Sequence, residues 1–600
     1  AIPGDDSPEG RASKQVLIVA RATHERAPGL CALVADHTGV ADAFAAATPC
    51  AEFATDAAVP PRAENVLYFA GLDVPAASEL TPATLDASVH AHCTETLRIA
   101  QSLARQTNPP RLWIITRGAQ TGVSPAQAPL WGLGRVIGLE HPEIWGGLID
   151  LDRIASPDES RTILDIIRAR TDEDQFAIRS GGVLVPRLVP SRAPVTRSPK
   201  PLFRAAASYL VTGGLGALGL RIARWMVESG ARHLTLAGLT GVSGDAARAA
   251  AIRDLERLGA TVNVVQVDVA DAAAMTGIVR HLLDAAAAPL KGIIHAAGIS
   301  MPQPIADIDA ETLRAVLRPK VAGAWILHEA TKDRALDFFV CFSSAAAIWG
   351  TVGGGHYAAA NHFLDALTHH RRMLGLPALT LNWARWEGEG MASSSDEVGK
   401  FFDQIGLGAM PSARALDLLG CLMQSGEVQK TVAAVDWSMF KPVYEARRKR
   451  PLLSRIGVAA PAASETRPEG GGLLRDLEAA PNSDRWNLLL TRIQEEVAGV
   501  LGFGVGEQPA IDEGFFKLGM DSLTSVELKS RLEASLGRTL PPTLAFEYST
   551  IESLARHLYT EIFGAPPGED EGLLALEQLS EEDAGAELLA ELAALRKELQ

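Results

Sequence analysis

Short apolar runs recur along the first third of the chain, separated by a stretch with helical spacing. KQVLIVAR, ENVLYFAG, RLWIITRG and WGGLIDLD are rich in Val, Ile, Leu and aromatics, while residues 82–105 repeat apolar side chains every three or four positions. The alternation from Lys14 to about Leu188 predicts a small α/β layer with a buried parallel sheet. Its first strand runs into ARATHERAPG, which has no cluster of glycines at the turn. A dinucleotide phosphate would find no close approach to that backbone, so this half reads as structural. The stretch VPSRAPVTRSPKP, dense in Pro and Ser, separates it from the next α/β region.

A stronger pattern starts at Ser208. SYLVT, HLTLA, TVNVVQVD, GIIHAAG, DFFVCFSS and ALTLNWA alternate with helical stretches such as LRIARWMVESG and AARAAAIRDLERLG. Six strands alternating with helices predict a second α/β layer, a doubly wound Rossmann-like sheet. Farther on, Trp486, Leu489, Leu490, Ile493, Val497, Val500 and Leu501 fall on one helical face. A second helix is expected from Ser522 to Leu536, with Leu523, Val526 and Leu532 inward, and IESLARHLYTEIF forms a third. These shifts divide the chain into a leading linker (1–13), two α/β subdomains (14–200 and 201–455), a flexible linker (456–483), a small all-α bundle (484–564) and an acidic helical tail (565–600).

Six hundred residues suit three to five domains. The formal net charge is −16, and half of it sits after position 564, where ten acids face two bases. An acidic balance argues against nucleic acid or an anionic membrane as the main partner. No run approaches 18 uninterrupted apolar residues, so no membrane span is expected. The start, AIPGDDSPEG, has neither an initiator Met nor a signal-peptide core, and suggests the middle of a longer polypeptide. Cys31, Cys50, Cys93, Cys341 and Cys421 are scattered and never spaced as CxxC. That fits free thiols in a reducing cytoplasm, with no disulfide and no metal site.

Val211–Gly219 reads VTGGLGALG, following one strand and entering a helix. Gly213, Gly216 and Gly219 would permit a tight turn, close approach of a pyrophosphate and close helix–strand packing, with the helix N-terminus facing the phosphates. Leu215 in the same turn, Asp268 and Val269 after a later strand, and Ala296 in IIHAAG complete the expected cofactor set. Asp268 suits either an adenine amino group or the ordinary role of an aspartate at a strand end.

Phe342-Ser343-Ser344, followed thirteen residues on by Tyr357-Ala358-Ala359-Ala360-Asn361, resembles the ketoreductase domains of modular polyketide synthases, within the short-chain dehydrogenase/reductase superfamily. LRPKVAGAW, YAAANHFLDAL and LNWARW extend the resemblance, and PLWGLGRVIGLEHPEIWGGLIDLD resembles the family's truncated structural subdomain. The resemblance implies reduction of a β-ketoacyl thioester with NADPH. It assigns Tyr357 as proton donor and Ser344 as hydrogen-bond donor to the substrate carbonyl. Ordinary short-chain dehydrogenases carry a lysine four residues after the tyrosine, where this chain has Asn361. The polyketide enzymes take theirs from earlier in the chain, here Lys320, with Asn361 holding that lysine or a relay water.

Two departures from the family pattern stand out. An arginine for the 2′-phosphate of NADPH is expected after HLTLA, where the chain has Gly238 and Leu239. An apolar side chain cannot replace a guanidinium–phosphate pair, so NADH stays open beside NADPH. Ser300-Met301-Pro302 stands where one stereochemical class has Leu-Asp-Asp, and Trp349, eight residues before Tyr357, resembles the class that makes the L-hydroxyl (A-type). The family's usual Gln three residues before the tyrosine is Gly354. WARWEGEGMASSSDEVGKFFDQIGLG, after the last catalytic strand, has the composition of a lid over a pocket.

DEGFFKLGMDSLTSVEL resembles the phosphopantetheine attachment sequence of acyl carrier proteins, with Ser522 as the modified residue and a phosphopantetheinyl transferase as the modifying partner. Viewed without the family, Ser522 is an N-cap serine. A flexible arm there would present the chain's own β-ketoacyl thioester to the reductase at high effective concentration. The acidic tail resembles a docking segment for a downstream synthase subunit, its stripe formed by Leu588, Leu589, Leu592, Leu595 and Leu599; the alternative is that this stripe packs on the chain's own carrier. Ketosynthase and acyltransferase domains would lie upstream. The competing expectation is a carrier and docking scaffold whose reductase fold no longer turns over.

Overall fold

A computed structural model describes residues 15–17, 31–34, 36–48, 51–53, 63–169, 171–191, 201–388, 396–457, 472–503, 508–515, 517–520, 522–538, 540–541 and 544–564. The chain divides into two bodies, 1–437 with 448–458, and 438–447 with 459–600.

The first body holds two sheets. The N-terminal one comprises β1 (Gln15–Leu17), β2 (Cys31–Val34), β3 (Ala51–Phe53), β4 (Asn65–Tyr68), β5 (Arg111–Arg117), β6 (Trp145–Leu151), β7 (Gln175–Arg179) and β8 (Gly182–Val185), in the order β1-β8-β7-β6-β5-β4-β2-β3. Strands β3 to β7 pair in parallel, whereas β7–β8 and β8–β1 are antiparallel. The expectation of a wholly parallel sheet is therefore corrected at one edge. Gln15–Leu17, within KQVLIVAR, form an edge strand antiparallel to β8, which itself runs against β7 because a tight turn at residues 180–181 makes a hairpin that needs no crossover helix. Helices α1 (Val40–Ala47), α2 (Pro82–Ala104), α3 (Pro129–Glu140) and α4 (Glu159–Arg168) accompany this sheet.

The second sheet comprises β9 (Ser208–Thr212), β10 (His233–Gly238), β11 (Thr261–Gln266), β12 (Leu290–His295), β13 (Phe338–Ser344) and β14 (Leu379–Trp383). Past them, β15 (Leu407–Gly408) and β17 (Ala434–Val435) make a small ribbon, and β16 (Gln429–Val432) joins the main sheet as its seventh strand. The order is β11-β10-β9-β12-β13-β14-β16, parallel throughout, as in a doubly wound nucleotide-binding fold. QKTV is too short and polar to have announced itself as a strand. Covering or flanking elements are α5 (Ala217–Glu228), α6 (Ala246–Arg257), α7 (Ala272–Leu283), α8 (Ala310–Thr331), α9 (Ala346–Trp349), α10 (Gly355–Met373), α11 (Asp396–Gln404) and α12 (Ser412–Gln424), and α13 (Trp437–Glu445) runs from the end of the first body into the second.

The two halves of this body share one core. Trp131 and Leu133 of α3 and Leu97 of α2 belong to the same buried cluster as Trp325 of α8 and Phe363 and Leu367 of α10. Gln101 reaches across, its amide donating to the carbonyls of Ile305 and Ile308, both at 2.9 Å. The N-terminal half thus acts as a wall behind the half that holds the second sheet.

The second body is a helical bundle of α14 (Gly472–Ala479), α15 (Asn482–Leu501), α16 (Ser522–Leu536), α17 (Leu544–Glu547) and α18 (Ile551–Phe563). The expected inward face of α15 is present in Leu489, Ile493 and Val497. Leu532 of α16 is buried as expected, while the side chains of Leu523 and Val526 lie outside those described. The expected linker over 456–483 is corrected for 472–479, which form α14. Its Leu473 and Leu477 are buried with Leu489, Leu532 and Leu558, so apolar contact outweighs the glycine-rich lead-in. The tail from 565 lies outside the described residues, as do 389–395 of the expected lid. Among the described residues no helix is long and apolar enough to cross a membrane.

Candidate active site

At the carboxyl edge of the second sheet, Thr212 of β9 stands in register with Ala237 of β10 and His295 of β12. The glycine turn leaves from this point. Gly213 has φ of +69°, and a Cβ there would come within 2.8 Å of the Ala296–Ala297 backbone. At Gly219 a Cβ would come within 2.2 Å of the Gly213 carbonyl. A side chain at either position would fill the cradle. Gly216 is the N-cap of α5 and offers no side-chain cap, which leaves first-turn N–H groups to meet an anion. The turn therefore fits a dinucleotide pyrophosphate.

The other expected cofactor residues surround the turn in different ways. Leu215 is buried beneath Gly238, where a Cβ would meet its side chain at 3.2 Å, so it contributes packing and backbone. Ala296 donates its N–H to the Thr212 carbonyl at 3.0 Å. Val269 packs on Gly323 of α8. The Asp268 carboxylate accepts the Ala270 N–H at 2.9 Å and pairs with Arg318 at 3.1 Å, so it is engaged by the chain's own groups.

Ser344 ends β13, and Tyr357 stands in the first turn of α10, with Asn361 one turn farther along. The fold brings these three together. Burial pushes the Tyr357 phenol above its usual range, and the facing side chains of Ser344 and Asn361 pull it back. Asn361 is fully buried. Its amide donates to the Tyr357 carbonyl at 2.8 Å, and its Oδ1 has no hydrogen-bond partner among the described residues.

Lys320 follows Pro319 within α8 and is 3% exposed. Its Nζ donates to the carbonyl of Phe342, two residues before Ser344, at 2.8 Å. Gly298 makes room for the arm, since a Cβ there would sit 2.7 Å from the lysine Cε. Desolvation lowers the ammonium to about 8, against which Cys341 and Asp365 raise it. Lys320 shares no hydrogen bond with Tyr357. It sits behind the same strand end and is joined to it through Phe342.

Behind these groups lies a polar network that the sequence did not announce. Asn382 of β14 donates to Asp365 (2.8 and 3.0 Å) and to Ser343 (2.9 Å), while Ser343 donates to the Asn361 carbonyl at 3.1 Å. Thr380 donates to Asp365 at 3.0 Å, and Gln429 of β16 donates to Asn382 at 2.9 Å. Asp365 follows Tyr357 and Asn361 at four-residue intervals, a spacing that puts all three on one helical face. That signal was legible. Asn382 and Gln429 carried none.

The loops around Tyr357 are held from the N-terminal half. Glu140 of α3 accepts the N–H of Ile305 at 2.6 Å and that of Gly353 at 2.8 Å, and Gln303 donates its N–H to the Gly353 carbonyl at 2.9 Å. His356 Nε2 lies 2.7 Å from the carbonyl of Met301, within the Ser300-Met301-Pro302 segment. Trp349 is buried, with its indole edge-on to Trp437 at 6.3 Å between ring centroids. In the second body Ser522 is the first residue of α16 and follows Gly519, whose φ is +96°.

Comparison with known proteins agrees with this arrangement. Residues 207–388 match the KR domain family, 14–188 the Rossmann fold domain of the polyketide synthase extender module SpnB, and 491–558 the phosphopantetheine attachment site family. The chain is 38% identical to polyketide synthase GfsA of Streptomyces halstedii over 78% of its own length and 6% of that protein. It is 37% identical to the pikromycin polyketide synthase component PikAIII of Streptomyces venezuelae over 76% of its length and 30% of that protein. It thus spans under a third of these curated relatives. A solved structure of A-type ketoreductases from a modular polyketide synthase superposes with TM-score 0.67 at 34% identity, covering 74% of this chain and 96% of that one. An A1-type ketoreductase gives TM-score 0.65 at 33% identity over 74% and 96%. From the glycine turn, the Ser344–Tyr357–Asn361 cluster and these near-complete structural matches it follows that the chain belongs to the ketoreductases of modular polyketide synthases, joined to a phosphopantetheine-attachment carrier region.

Proposed function

We propose that this chain reduces a β-ketoacyl thioester, carried on its own phosphopantetheine arm, to the β-hydroxyacyl thioester with NADPH. The observation that carries the proposal is the convergence of Ser344, Tyr357 and Asn361 beside a glycine cradle, in one chain with a carrier motif. When bound, the dinucleotide would supply hydride to the ketone carbon. Ser344 orients the carbonyl oxygen. Tyr357 is protonated at neutral pH, because burial holds its phenol up, and it gives its proton to the oxygen as charge grows there. Lys320 has two ammonium hydrogens without a partner among the described residues, and Asn361 has a buried acceptor without a donor. Together they supply the groups needed to hold a relay water that restores the phenol.

Ser522 takes the phosphopantetheine from a phosphopantetheinyl transferase. The hydroxyl formed is L-configured (A-type), a reading supported by Ser300-Met301-Pro302, by Trp349 and by likeness to A-type ketoreductases. Upstream ketosynthase and acyltransferase domains deliver the chain, residues 565–600 dock a following subunit, and the reaction takes place in the cytoplasm. Wild-type protein given NADPH and a β-keto thioester surrogate should lose absorbance at 340 nm, and Tyr357→Phe should abolish that loss. A silent wild type would favour the redox-inactive scaffold.

A further inference from the structure

In a doubly wound sheet whose first strand leads into a glycine turn, the adenosine ribose falls beside the end of the neighbouring strand, and an arginine nearby accommodates a 2′-phosphate. Here that strand is β10. Its last residue, Gly238, lies against Leu215, and the next, Leu239, is 69% exposed. Neither offers a cation.

Between Arg232 and Arg253 the chain has one arginine or lysine, Arg248, in the first turn of α6. Its guanidinium returns to the loop after β10. Nη1 donates to Thr240 Oγ1 at 2.9 Å and to the Gly241 carbonyl at 3.3 Å, and Nε faces Asp245 Oδ2 at 3.2 Å. Asp245 also caps the helix by accepting the Arg248 N–H at 2.9 Å. The arm is thus fixed at Nε and Nη1, while Nη2 has no partner among the described residues. The loop itself is steadied by Gln266, which donates to the Leu239 carbonyl at 3.3 Å.

We propose that Arg248 binds the ribose 2′-phosphate of NADPH, replacing in space the guanidinium that positions 238 and 239 lack in sequence. The proposal rests on the dinucleotide assignment of the glycine turn and extends it to cofactor choice. A planar fork already held on the loop pairs with a phosphate at little ordering cost, whereas NADH brings nothing for it to hold. Arg248 is about one-third exposed, so the contact is screened by salt.

The test is the binding of NADPH and NADH to the intact chain, followed by the fluorescence of the bound nicotinamide. Arg248→Gln should weaken NADPH about tenfold or more and leave NADH within twofold. Added KCl should weaken NADPH binding to the wild type and much less to the variant. NADH binding also reports that the variant is folded. The proposal is overturned if the variant binds both dinucleotides as the wild type does, if it weakens both equally, or if the wild type binds NADH as tightly as NADPH. In each of those cases the dinucleotide assignment survives. Failure of the wild type to bind either one would overturn both.

Discussion

Gly132 of α3 lies directly on the carbonyl of Ala358, the residue after Tyr357, and a Cβ at 132 would come within 2.3 Å of that oxygen. Two helices from different halves of the body therefore touch backbone to backbone at the position that sets Tyr357, the proposed proton donor. Gly132→Val should push α10 away. About an ångström of displacement at the phenol costs on the order of a hundredfold in turnover, and overpacking costs about 1–3 kcal/mol of stability. Steady-state rates and the thermal midpoint of the same variant check both.

Lys320 links activity and stability to pH with opposite signs. Its ammonium titrates at about 8 in the fold, below its ordinary value of 10.5, because burial disfavours the charge. Turnover should therefore fall as pH rises through 8. Over the same interval and up to about 10.5 the folded state should gain stability, by roughly 3 kcal/mol at most, since the lysine is lost as a buried charge sooner than in the unfolded chain. Lys320→Met should abolish turnover without lowering the unfolding midpoint. A pH–rate profile beside a pH–stability profile tests the pair, and a Met variant that unfolds early would contradict it.

Asp365 holds Asn382, which in turn holds Ser343, and it raises the Lys320 ammonium. Asp365→Asn should lower kcat more than it alters KM and should move the alkaline limb of the pH–rate profile to lower pH. The lost charge-assisted hydrogen bonds cost about 1.5–3 kcal/mol. An unchanged alkaline limb would make Asp365 a packing residue only.

In the carrier, Leu477 of α14 is fully buried. Leu477→Ala should cost about 2–5 kcal/mol in the carrier's own unfolding transition and leave the reductase transition in place. Calorimetry resolves the two. If the carrier transition does not move, residues 472–479 behave as linker after all.

Legibility tracks the range of the interactions. The alternation of strands and helices, the glycine turn and the Tyr357–Asn361 spacing are local patterns, because a helix or strand is written at periods of 3.6 or 2 along the chain. Asp365 shared that helical period and could have been picked out by it. The antiparallel edge of the first sheet, the seventh strand and α14 depended on distant partners. So did Glu140, which accepts the N–H groups of Ile305 and Gly353 from 165 and 213 residues away.

By itself the sequence determined the main alternation of helices and strands and where a pyrophosphate finds room, and it marked Ser522 as the hydroxyl proposed for a carrier arm. Only the tertiary structure decided how deeply Lys320 is buried, what holds Ser343 and Asn361 in place, and that Arg248 returns to the loop after β10. The physical reason is burial. Desolvation, close helix contact and a shared carboxylate arise from atoms far apart along the chain, and their strength depends on distances that no linear pattern encodes.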